Sequence, residues 1–367
     1  MGEKEKAILI YYHKSDFDGY ISQMILANDF IKHDINVKCI PYNHNIPINI
    51  EAFEKLSEDD RKQMTLIFAD VLPINKDGYM QKLLDLFGNN IIIIDHHIST
   101  INYLNTNFPN KFNALISTNY AACELAWMFL LEPTIVHNAE IMQEHTESRL
   151  RELYQSVPPA VKYFGRYDIH DMSGTEFSWE TIEVFQSAMR ALNINFNICE
   201  DNMTTINNPD YALLKRIVFE PIEFIKALCG DISLIDMGKS IIKYNFTRNN
   251  KLCIMRDKIR ARLYSPIGRK FTFSTVYFAQ DFLNNSKIFE DAGIFNDPNA
   301  VYILASYNIL NGKYNVSLYS TEDSKHDVSK AAEFMGGGGH EHCAGFICSF
   351  INYNSNPNNE INVLTIK

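Results

Sequence analysis

The sequence has no Cys-x-x-Cys pair, no long hydrophobic run and no excess of basic residues. Its seven cysteines are odd in number and scattered along 367 residues. They therefore predict reduced thiols in a cytoplasmic protein, not a disulfide framework or a zinc site. No apolar stretch approaches the roughly 20 residues of a membrane span. The charged start lacks the long apolar stretch of a secretory signal, so we expect neither a membrane protein nor a secreted one.

The balance of charge is acidic, with 34 Lys and Arg against 44 Asp and Glu and a formal net charge of −10. Such a chain does not offer the broad basic track that long nucleic acids need. A small anionic ligand is still compatible with this charge, provided that bound metal ions supply positive charge locally. The length is too great for one ordinary core and predicts two domains.

Strand-like and helix-like segments alternate through the first half of the sequence. The strand candidates are "KAILIYYH", "NVKCIPYN", "QMTLIFADV" and "NIIIIDHH", and the helix candidates are "GYISQMILANDFIKHD", "DGYMQKLLDLFG" and "NYAACELAWMFLL". This alternation predicts right-handed βαβ units and a mostly parallel sheet. Central strands of such a sheet are covered on both faces, which accounts for the run of isoleucines at 91–94.

The second half changes character twice. From about 135 to 250 the pattern is mainly helical, with interruptions near Pro221 and Gly230, and from about 251 β-branched and aromatic runs dominate. An Asn-Gly pair in "LNGKY" predicts a hairpin between two of these runs. We therefore expect an α/β protein with a mostly parallel-sheet domain at 1–190, a helical linker or insertion at 191–250, and a smaller α/β domain with a mixed sheet at 251–367.

Titratable side chains follow three of the predicted strands where each strand ends. They are His13, Asp16 and Asp18 after the first strand, Asp70 after the third, and Asp95, His96 and His97 after the fourth. The carboxyl ends of the strands in an open α/β sheet form its ligand-binding edge. Carboxylates gathered there repel one another and would protonate unless positive charge lies among them. Mixed carboxylate and imidazole donors suit manganese or a similar metal.

Each of these residues taken singly also has a structural explanation. An aspartate after a strand is commonly a helix cap or turn former, and a lone buried histidine is commonly a hydrogen-bonded core residue. The joint occurrence at three strand ends favours a metal site instead. Two ions about 3.5–4 Å apart would share one carboxylate. Asp70, alone on its strand, is the natural bridge.

A second motif, "MGGGGHEHCAGF", covers residues 335–346. Four glycines remove every Cβ, so backbone N–H groups can approach a phosphate or carboxylate closely, and His340 could contact the same anion. The alternative is a helix C-cap followed by a loop, for which Gly336 alone would suffice.

At these motifs the sequence resembles the DHH phosphoesterases. "HKSDFDG", "FAD" and "DHH" are similar to the first three motifs of that family, "FGRYDIHD" is similar to the fourth, and the glycine run is similar to the signature of the DHH-associated C-terminal domain. The resemblance implies a metal-dependent phosphoesterase that uses two Mn²⁺ ions, with Mg²⁺ or Co²⁺ as alternatives. It also implies that the domain at 251–367 binds substrate.

The resemblance also implies a role for each site residue. Asp95 would orient the histidine pair as a supporting residue, and His97 would face the substrate phosphate. Asp168 would be the fourth-motif ligand, with Asp171 close enough to be confused with it. The implied metal ligands are His13, Asp16, Asp18, Asp70, His96 and Asp168. The implied substrate-binding residues are Gly336, Gly337, Gly338, Gly339 and His340.

The substrate is the least defined part of this prediction. Acidic charge and modest length favour a phosphodiesterase acting on short oligonucleotides or dinucleotides, cyclic ones included; the alternatives are a single-strand exonuclease and an inactive nucleotide-binding regulator. Where the family usually has an arginine before the glycine run, this sequence has Tyr319, and Arg260, Arg262 or Arg269 could compensate. The expected partner is a small nucleotide or short oligonucleotide, without a membrane, and a homodimer is left open.

Overall fold

The computed structural model of the protein describes residues 7–43, 48–73, 78–109, 111–136, 144–171, 177–192, 209–220, 233–252, 255–265, 268–280, 286–354 and 363–367. Two compact units make up the chain, Met1–Ile241 and Ile242–Lys367. The expected interruptions near Pro221 and Gly230 lie outside the described residues.

The first unit contains a parallel sheet, in which the five described strands follow the order β2-β1-β3-β4-β5. The strands are β1 (Ala7–His13), β2 (Asn36–Tyr42), β3 (Met64–Ala69), β4 (Ile91–Asp95) and β5 (Asn113–Ile116). The strands β1, β3 and β4, which carry the predicted site residues, are direct neighbours. The register pairs Tyr12 with Ala69 and Ala69 with Ile94, so the carboxyl ends of these three strands lie side by side.

Helices connect and cover these strands. They are α1 (Phe17–Lys32), α2 (Ile50–Glu54), α3 (Glu58–Lys62), α4 (Tyr79–Phe87), α5 (Ile98–Asn107), α6 (Ala122–Leu131), α7 (Glu144–Tyr154), α8 (Pro159–Ile169), α9 (Trp179–Ala191), α10 (Pro209–Phe219) and α11 (Leu234–Leu252). Two single turns of 3₁₀ helix lie at Gly88–Asn90 and Pro133–Ile135. No described helix is both long enough and apolar enough to pass through a lipid bilayer.

Both faces of the parallel sheet are buried, and the strand sequences show why. On β1, Ile10 and Tyr12 belong to one hydrophobic cluster with α1 and α6, while Tyr11 belongs to another cluster on the opposite face. On β4, Ile94 and Ile93 divide between the same two clusters. Because successive side chains of a strand point to opposite faces, a strand covered on both sides must be apolar at every position.

The second unit contains a mixed sheet, in which the eight described strands follow the order β10-β11-β9-β8-β7-β6-β13-β12. The pairs β6–β13 and β7–β8 are parallel and the remaining pairs are antiparallel. The strands are β6 (Met255–Tyr264), β7 (Lys270–Gln280), β8 (Val301–Asn308), β9 (Lys313–Tyr319), β10 (Gly338–His340), β11 (Cys343–Cys348), β12 (Ile351–Asn354) and β13 (Val363–Ile366).

Two further helices pack on this second sheet. Helix α12 (Lys287–Asp291) places Phe289 against Tyr302, and helix α13 (Val328–Phe334) buries Val328 and Ala332 against the other face. The predicted fold class, a parallel-sheet α/β unit followed by helices and a mixed-sheet unit, is confirmed.

Candidate metal centre

The first element of the candidate site is the turn between β1 and α1. Asp16 is the N-cap of α1 and accepts a hydrogen bond from the Gly19 backbone N–H at 3.1 Å. A Cβ on Gly19 would lie 2.1 Å from the His13 carbonyl oxygen, so only glycine lets the helix begin this close to the strand. The turn places His13 Nδ1 2.8 Å from the second oxygen of Asp16. Asp16 is thus both a helix cap and a member of the cluster.

Three groups of donor atoms meet at the strand ends; one consists of Asp70, Asp95, His96 and His97, and the other two contain the six predicted metal ligands. The first group is His13, Asp16 and Asp70, whose donor atoms all lie within 4.8 Å of one another. The second group is Asp18, His96 and Asp168, which meets the same criterion. In the second group His96 Nε2 lies 3.5 Å from Asp18 Oδ2 and 3.2 Å from Asp168 Oδ2. The structure therefore brings together all six residues that the sequence predicts as metal ligands.

Asp70 connects the two groups. Its Oδ2 lies 3.5 Å from His13 Nδ1, and its Oδ1 lies 3.3 Å from His96 Nε2. The residue is 2% exposed and has a left-handed backbone with φ of 61°. Aspartate is among the non-glycine residues that tolerate this conformation best. The turn aims one carboxylate oxygen toward each group, as a bridging ligand requires.

The adjacent pair Asp95 and His97 has a different geometry. Asp95 is fully buried at the end of β4, and its Oδ1 accepts hydrogen bonds from the backbone N–H groups of His96 and His97, while Thr100 donates to Oδ2. His97 Nδ1 lies 2.8 Å from Asp95 Oδ1, which fixes the ring and leaves Nε2 for another partner. The His97 side chain is 43% exposed. Asp95 is thus committed to orienting its neighbours.

The electrostatics of the cluster call for positive charge. Burial raises the pKa of Asp70, and burial together with the charges of Asp70 and Asp168 raises the pKa of Asp18. Burial lowers the pKa of His13, but the carboxylates of Asp16 and Asp70 outweigh it and raise that pKa to about 10. Burial also lowers the pKa of His96, but the carboxylates of Asp168 and Asp70 outweigh burial and raise that pKa to about 12. The buried carboxylates therefore need positive charge beside them, which divalent cations can provide.

The donor set also fits a metal ion by its unmet hydrogen-bonding capacity. Both carboxylate oxygens of Asp70 and the Nε2 atom of His96 are buried, and within the described chain none of these atoms has a hydrogen-bond partner. Buried polar atoms in native proteins nearly always have a partner, so three such atoms close together indicate a site for a bound group. Carboxylate oxygens with an imidazole nitrogen are the ligands of Mn²⁺ and similar ions. The residues present therefore fit a pair of divalent cations.

Helix α6 supports the site, and the sequence analysis did not identify this role. The backbone N–H groups of Ala122 and Cys123, in the first turn of α6, donate to Asp18 at 2.8 and 2.7 Å. Glu124, one residue further, is fully buried and accepts from Arg166 Nε at 2.9 Å. A second hydrogen bond joins Arg166 Nη2 to the other oxygen of Glu124.

This ion pair links α6 to the helix that carries Asp168. Arg166 is 1% exposed, lies two residues before Asp168 on α8, and also donates to the Asn119 carbonyl at 2.9 Å. The one available sequence signal is the single charged residue, Glu124, within the apolar helix "ACELAWMFLL". Asp171, the residue that sequence confuses with Asp168, lies outside the groups of donor atoms and is 4.0 Å from Arg166 Nη1.

The glycine run in the second unit has mostly structural causes. Gly336 has φ of 85° just after α13, and Gly337 N–H bonds back to the Ala332 carbonyl, which is a glycine helix termination. A Cβ on Gly337 would lie 2.0 Å from the Gly345 oxygen, and Gly339 has φ of 145° and would meet Ala344 at 2.5 Å. Gly338 has free space around its missing Cβ. The backbone therefore explains every glycine of the run except Gly338.

The remaining predicted residues lie near this run. His340 ends β10 and is exposed, and Tyr319 ends β9, opposite Cys343 of the adjacent strand. Arg260 and Arg262 lie on β6, three strands from β9 in the sheet order, or about 14 Å at the usual strand spacing. These two arginines therefore do not occupy the place of the family's arginine.

Comparisons with known proteins gave matches among solved structures alone. The pGpG-specific phosphodiesterase PggH from Vibrio cholerae is 12% identical, with 93% of each chain covered and a TM-score of 0.41. An exopolyphosphatase-related protein from Bacteroides fragilis is 13% identical, covering 94% of this chain and 87% of that one, with a TM-score of 0.37. The exonuclease RecJ bound to manganese is 13% identical, covering 93% and 85%, with a TM-score of 0.40.

No protein-family model and no curated protein matches the sequence. The structural neighbours are DHH-family phosphoesterases, the family that the sequence motifs resemble. Because the identities are 12–13% and the TM-scores lie below 0.5, no residue role is taken from these proteins.

Proposed function

We propose that the chain is a metal-dependent phosphodiesterase that hydrolyses short oligonucleotides or dinucleotides, cyclic ones included, and uses two Mn²⁺ ions, with Mg²⁺ or Co²⁺ as alternatives. One observation carries this proposal: six donor residues from the ends of β1, β3 and β4 and from α8 converge in two groups joined by Asp70. Asp16 and Asp18 also accept backbone hydrogen bonds at the starts of α1 and α6, but both carboxylate oxygens of Asp70 are buried without a hydrogen-bond partner among the described residues.

Each group would hold one ion. His13 and Asp16 would bind the first ion, Asp18, His96 and Asp168 the second, and Asp70 both. Two bound divalent cations supply acidity to a water molecule and neutralise charge on phosphoryl oxygens. The side chains of this protein would then orient the substrate phosphate.

His97 would contribute directly to the reaction. Its Nδ1 is held by the buried Asp95 carboxylate, which fixes the imidazole so that Nε2 can donate a hydrogen bond to a phosphoryl oxygen. Burial raises the pKa of Asp95, but hydrogen bonds from His97 outweigh burial and hold that pKa below its usual value. Asp95 therefore stays charged beside His97 and favours an imidazolium that stabilises the developing negative charge.

The acidic chain supports a short substrate over a long one. A formal charge of −10 opposes the accumulation of a long polyanion, whereas a dinucleotide brings few phosphates to the site. We also propose Gly338 and His340, which lie in the second unit, as substrate-binding residues.

Asp70→Asn tests the catalytic proposal. Asparagine keeps the shape and tolerates the left-handed backbone, but removes the bridging charge. We expect hydrolysis of bis(p-nitrophenyl) phosphate by the purified chain to require Mn²⁺, to stop with a chelator, and to fall by at least about 100-fold in Asp70→Asn. Calorimetry should show fewer bound Mn²⁺ ions. Metal-independent hydrolysis, or undiminished turnover by the variant, would refute the proposal.

A substrate panel separates the alternatives. Dinucleotides, cyclic dinucleotides, phosphoadenosine phosphate and a long single strand should be cleaved with a preference for the dinucleotides. A preference for the long strand that weakens steeply with salt would support an exonuclease instead. Tight nucleotide binding without turnover would support a regulatory protein.

A further inference from the structure

A cavity of about 370 Å³ lies in the first unit beside three of the predicted metal ligands, Asp16, Asp18 and Asp168, which form part of its wall. Among the described residues that line it, Arg190 on α9 is the one cationic side chain. The volume lies within the range of small-ligand sites. The phosphodiesterase chemistry described above uses the three aspartates and leaves the arginine without a role.

Arg190 is exposed and is held by an aromatic ring. Its guanidinium carbon lies 5.0 Å from the centre of the Tyr167 ring, and Tyr167 immediately precedes Asp168 on α8. Asp16 pairs with His13 and Asp168 pairs with His96, whereas no described acidic residue forms an ion pair with Arg190. The helix dipole favours a basic residue in the last turn of α9, but it does not explain a place on the cavity wall.

Ser15 adds a hydrogen-bond donor to the same cavity. It lies in the turn between β1 and α1, is exposed, and lines the cavity. Asn43 Nδ2 donates to Ser15 Oγ at 3.2 Å, so the serine oxygen accepts in this contact. The hydroxyl hydrogen of Ser15 remains to be donated, and no described residue accepts it. The cavity therefore offers a guanidinium and a hydroxyl group to an anionic ligand.

The charge balance of the proposed metal centre indicates which anion these donors would bind. Four of the six predicted ligands are aspartates, and their negative charges offset the four positive charges of two divalent cations. The centre therefore has no surplus positive charge for a second phosphate group of the substrate. A phosphate monoester carries a charge of about −1.5 to −2 at pH 7, so it needs a cation of its own. A guanidinium suits this task, because its N–H groups match phosphate oxygens in pairs.

We propose that Arg190 and Ser15 bind a free terminal phosphate of the substrate. The protein then prefers linear dinucleotides that carry such a phosphate, at the 5′ or the 3′ end, over dinucleotides that lack it. The bridging phosphodiester lies at the metal ligands, and the terminal phosphate lies in the adjoining cavity. This inference rests on the proposed phosphodiesterase function and adds a substrate feature and two specificity-determining residues to it.

Arg190→Gln tests the inference, and Arg151→Gln is its matched control. Arg151 is also exposed and also lies in the last turn of its helix, α7, but it does not line the cavity. Both substitutions remove one positive charge and keep most of the length of the side chain. Both also remove the same favourable interaction with a helix dipole. The two variants should therefore unfold at similar temperatures, because exposed side chains contribute little to stability.

The kinetic assay compares one dinucleotide in three forms, with a 5′-phosphate, with a 3′-phosphate and with neither. The wild type and Arg151→Gln should prefer one phosphorylated form over the unphosphorylated form by about tenfold or more in kcat/KM. Arg190→Gln should lose this preference, and Ser15→Ala should reduce it. The ratio of kcat/KM values within each protein is the measured quantity, so a general change in activity does not affect the comparison.

Chemical labelling gives a readout that does not depend on turnover. Phenylglyoxal modifies exposed arginines, and mass spectrometry measures the modification at each position. A non-hydrolysable dinucleotide analogue with a methylene-bridged linkage and a terminal phosphate should protect Arg190 of the wild type and leave Arg151 reactive. The same analogue without the terminal phosphate should protect neither residue.

Three results would overturn the inference and leave the phosphodiesterase intact. They are a wild type without preference for a terminal phosphate, an equal change of preference in Arg190→Gln and Arg151→Gln, and an Arg190 that the phosphorylated analogue does not protect. Absence of Mn²⁺-dependent hydrolysis of bis(p-nitrophenyl) phosphate by the wild type would instead refute the proposed function itself.

Discussion

Asp168 and Asp171 show how much a single position matters in this site. They lie three residues apart at the end of α8, yet Asp168 Oδ2 is 3.2 Å from His96 Nε2, whereas Asp171 belongs to neither donor group. Sequence alone could not choose between them with certainty, because Asp168 lies in the last turn of α8 and Asp171 only two residues beyond its end. The path of α8 distinguishes the two residues, because it brings Asp168, and not Asp171, next to His96.

We predict that Asp168→Asn reduces Mn²⁺ affinity and hydrolysis of bis(p-nitrophenyl) phosphate by at least about 100-fold, because a charged donor of the second group is lost. Asp171→Asn is the matched control and should stay within about twofold of the wild type. Equal effects of the two substitutions on metal binding, measured by calorimetry, would contradict the assignment of Asp168.

Gly338 allows a second test at single-residue scale. A Cβ would clash at Gly337 and Gly339 but would meet open space at Gly338. We predict that Gly338→Ala leaves the unfolding midpoint unchanged and lowers dinucleotide cleavage by about tenfold or more, because the added methyl group would hold the substrate away from the backbone N–H groups.

Gly337→Ala, in contrast, should destabilise the second unit, since its Cβ would lie 2.0 Å from a backbone oxygen. Thermal unfolding and steady-state kinetics of both variants make the comparison. Full activity in a folded Gly338→Ala protein would mean that the glycine run serves the fold alone.

At the scale of elements, helix α6 holds two parts of the donor cluster in position. Its first turn fixes Asp18 through two backbone N–H groups, and its Glu124 fixes Arg166 on α8. The partial positive charge at a helix N-terminus adds to the attraction for the Asp18 carboxylate. Two proposed ligands from distant parts of the sequence, Asp18 and Asp168, therefore depend on one helix that contributes no proposed ligand of its own.

Glu124→Gln should destabilise the protein by about 3–5 kcal/mol, because it leaves the buried Arg166 charge without a counterion. Glu152→Gln is the matched control, since Glu152 pairs with Arg149 at 2.6 Å on the surface and its loss should cost less than about 1 kcal/mol. Urea unfolding of both variants measures the difference. Equal losses of unfolding free energy would show that the buried Glu124–Arg166 pair stabilises the protein no more than the surface pair does.

The elements also show what the sequence could and could not reveal. Apolar runs and charged strand ends predicted β1, β3 and β4 together with five of the six converging donors, and the resemblance to the DHH phosphoesterases supplied the sixth, Asp168. Helix α5 was not assigned, because "ISTINYLNTN" is rich in β-branched and Asn residues of low helix propensity and forms by packing Thr100 and Leu104 inward. Strand β5 has four residues and gives too short a pattern to detect.

Polar residues that act from inside helices were not identified from sequence, although Glu124 is the one charged residue in an apolar segment. Glu124 and Arg166 become a pair only through the approach of α6 and α8, 42 residues apart. Such contacts depend on tertiary packing, which periodicity does not encode.

At the scale of the whole molecule, the predicted ion site lies within the first unit, Met1–Ile241. The second unit has its own hydrophobic clusters and its own sheet. Ion binding should therefore act on the stability of one unit and leave the other unit's internal stability alone.

We predict that Mn²⁺ at about 100 times its dissociation constant stabilises the first unit by about 2.7 kcal/mol per independent site, by mass action. Hydrogen exchange should slow in β1, β3 and β4 on adding Mn²⁺ and stay unchanged in β7, β8 and β9. A chelator should reverse the effect. Uniform protection of both units, or none, would contradict a metal site confined to the first.

The register of the three central strands has a consequence for changes in chain length. β3 is hydrogen-bonded on both sides, so removing one residue between Met64 and Ala69 cannot be absorbed at a free edge. The deletion would turn the strand over, exchange its two buried faces and send the Asp70 carboxylate away from both histidines. Natural variants of this protein should therefore tolerate insertions and deletions in the outer connections but keep the spacing within this strand constant.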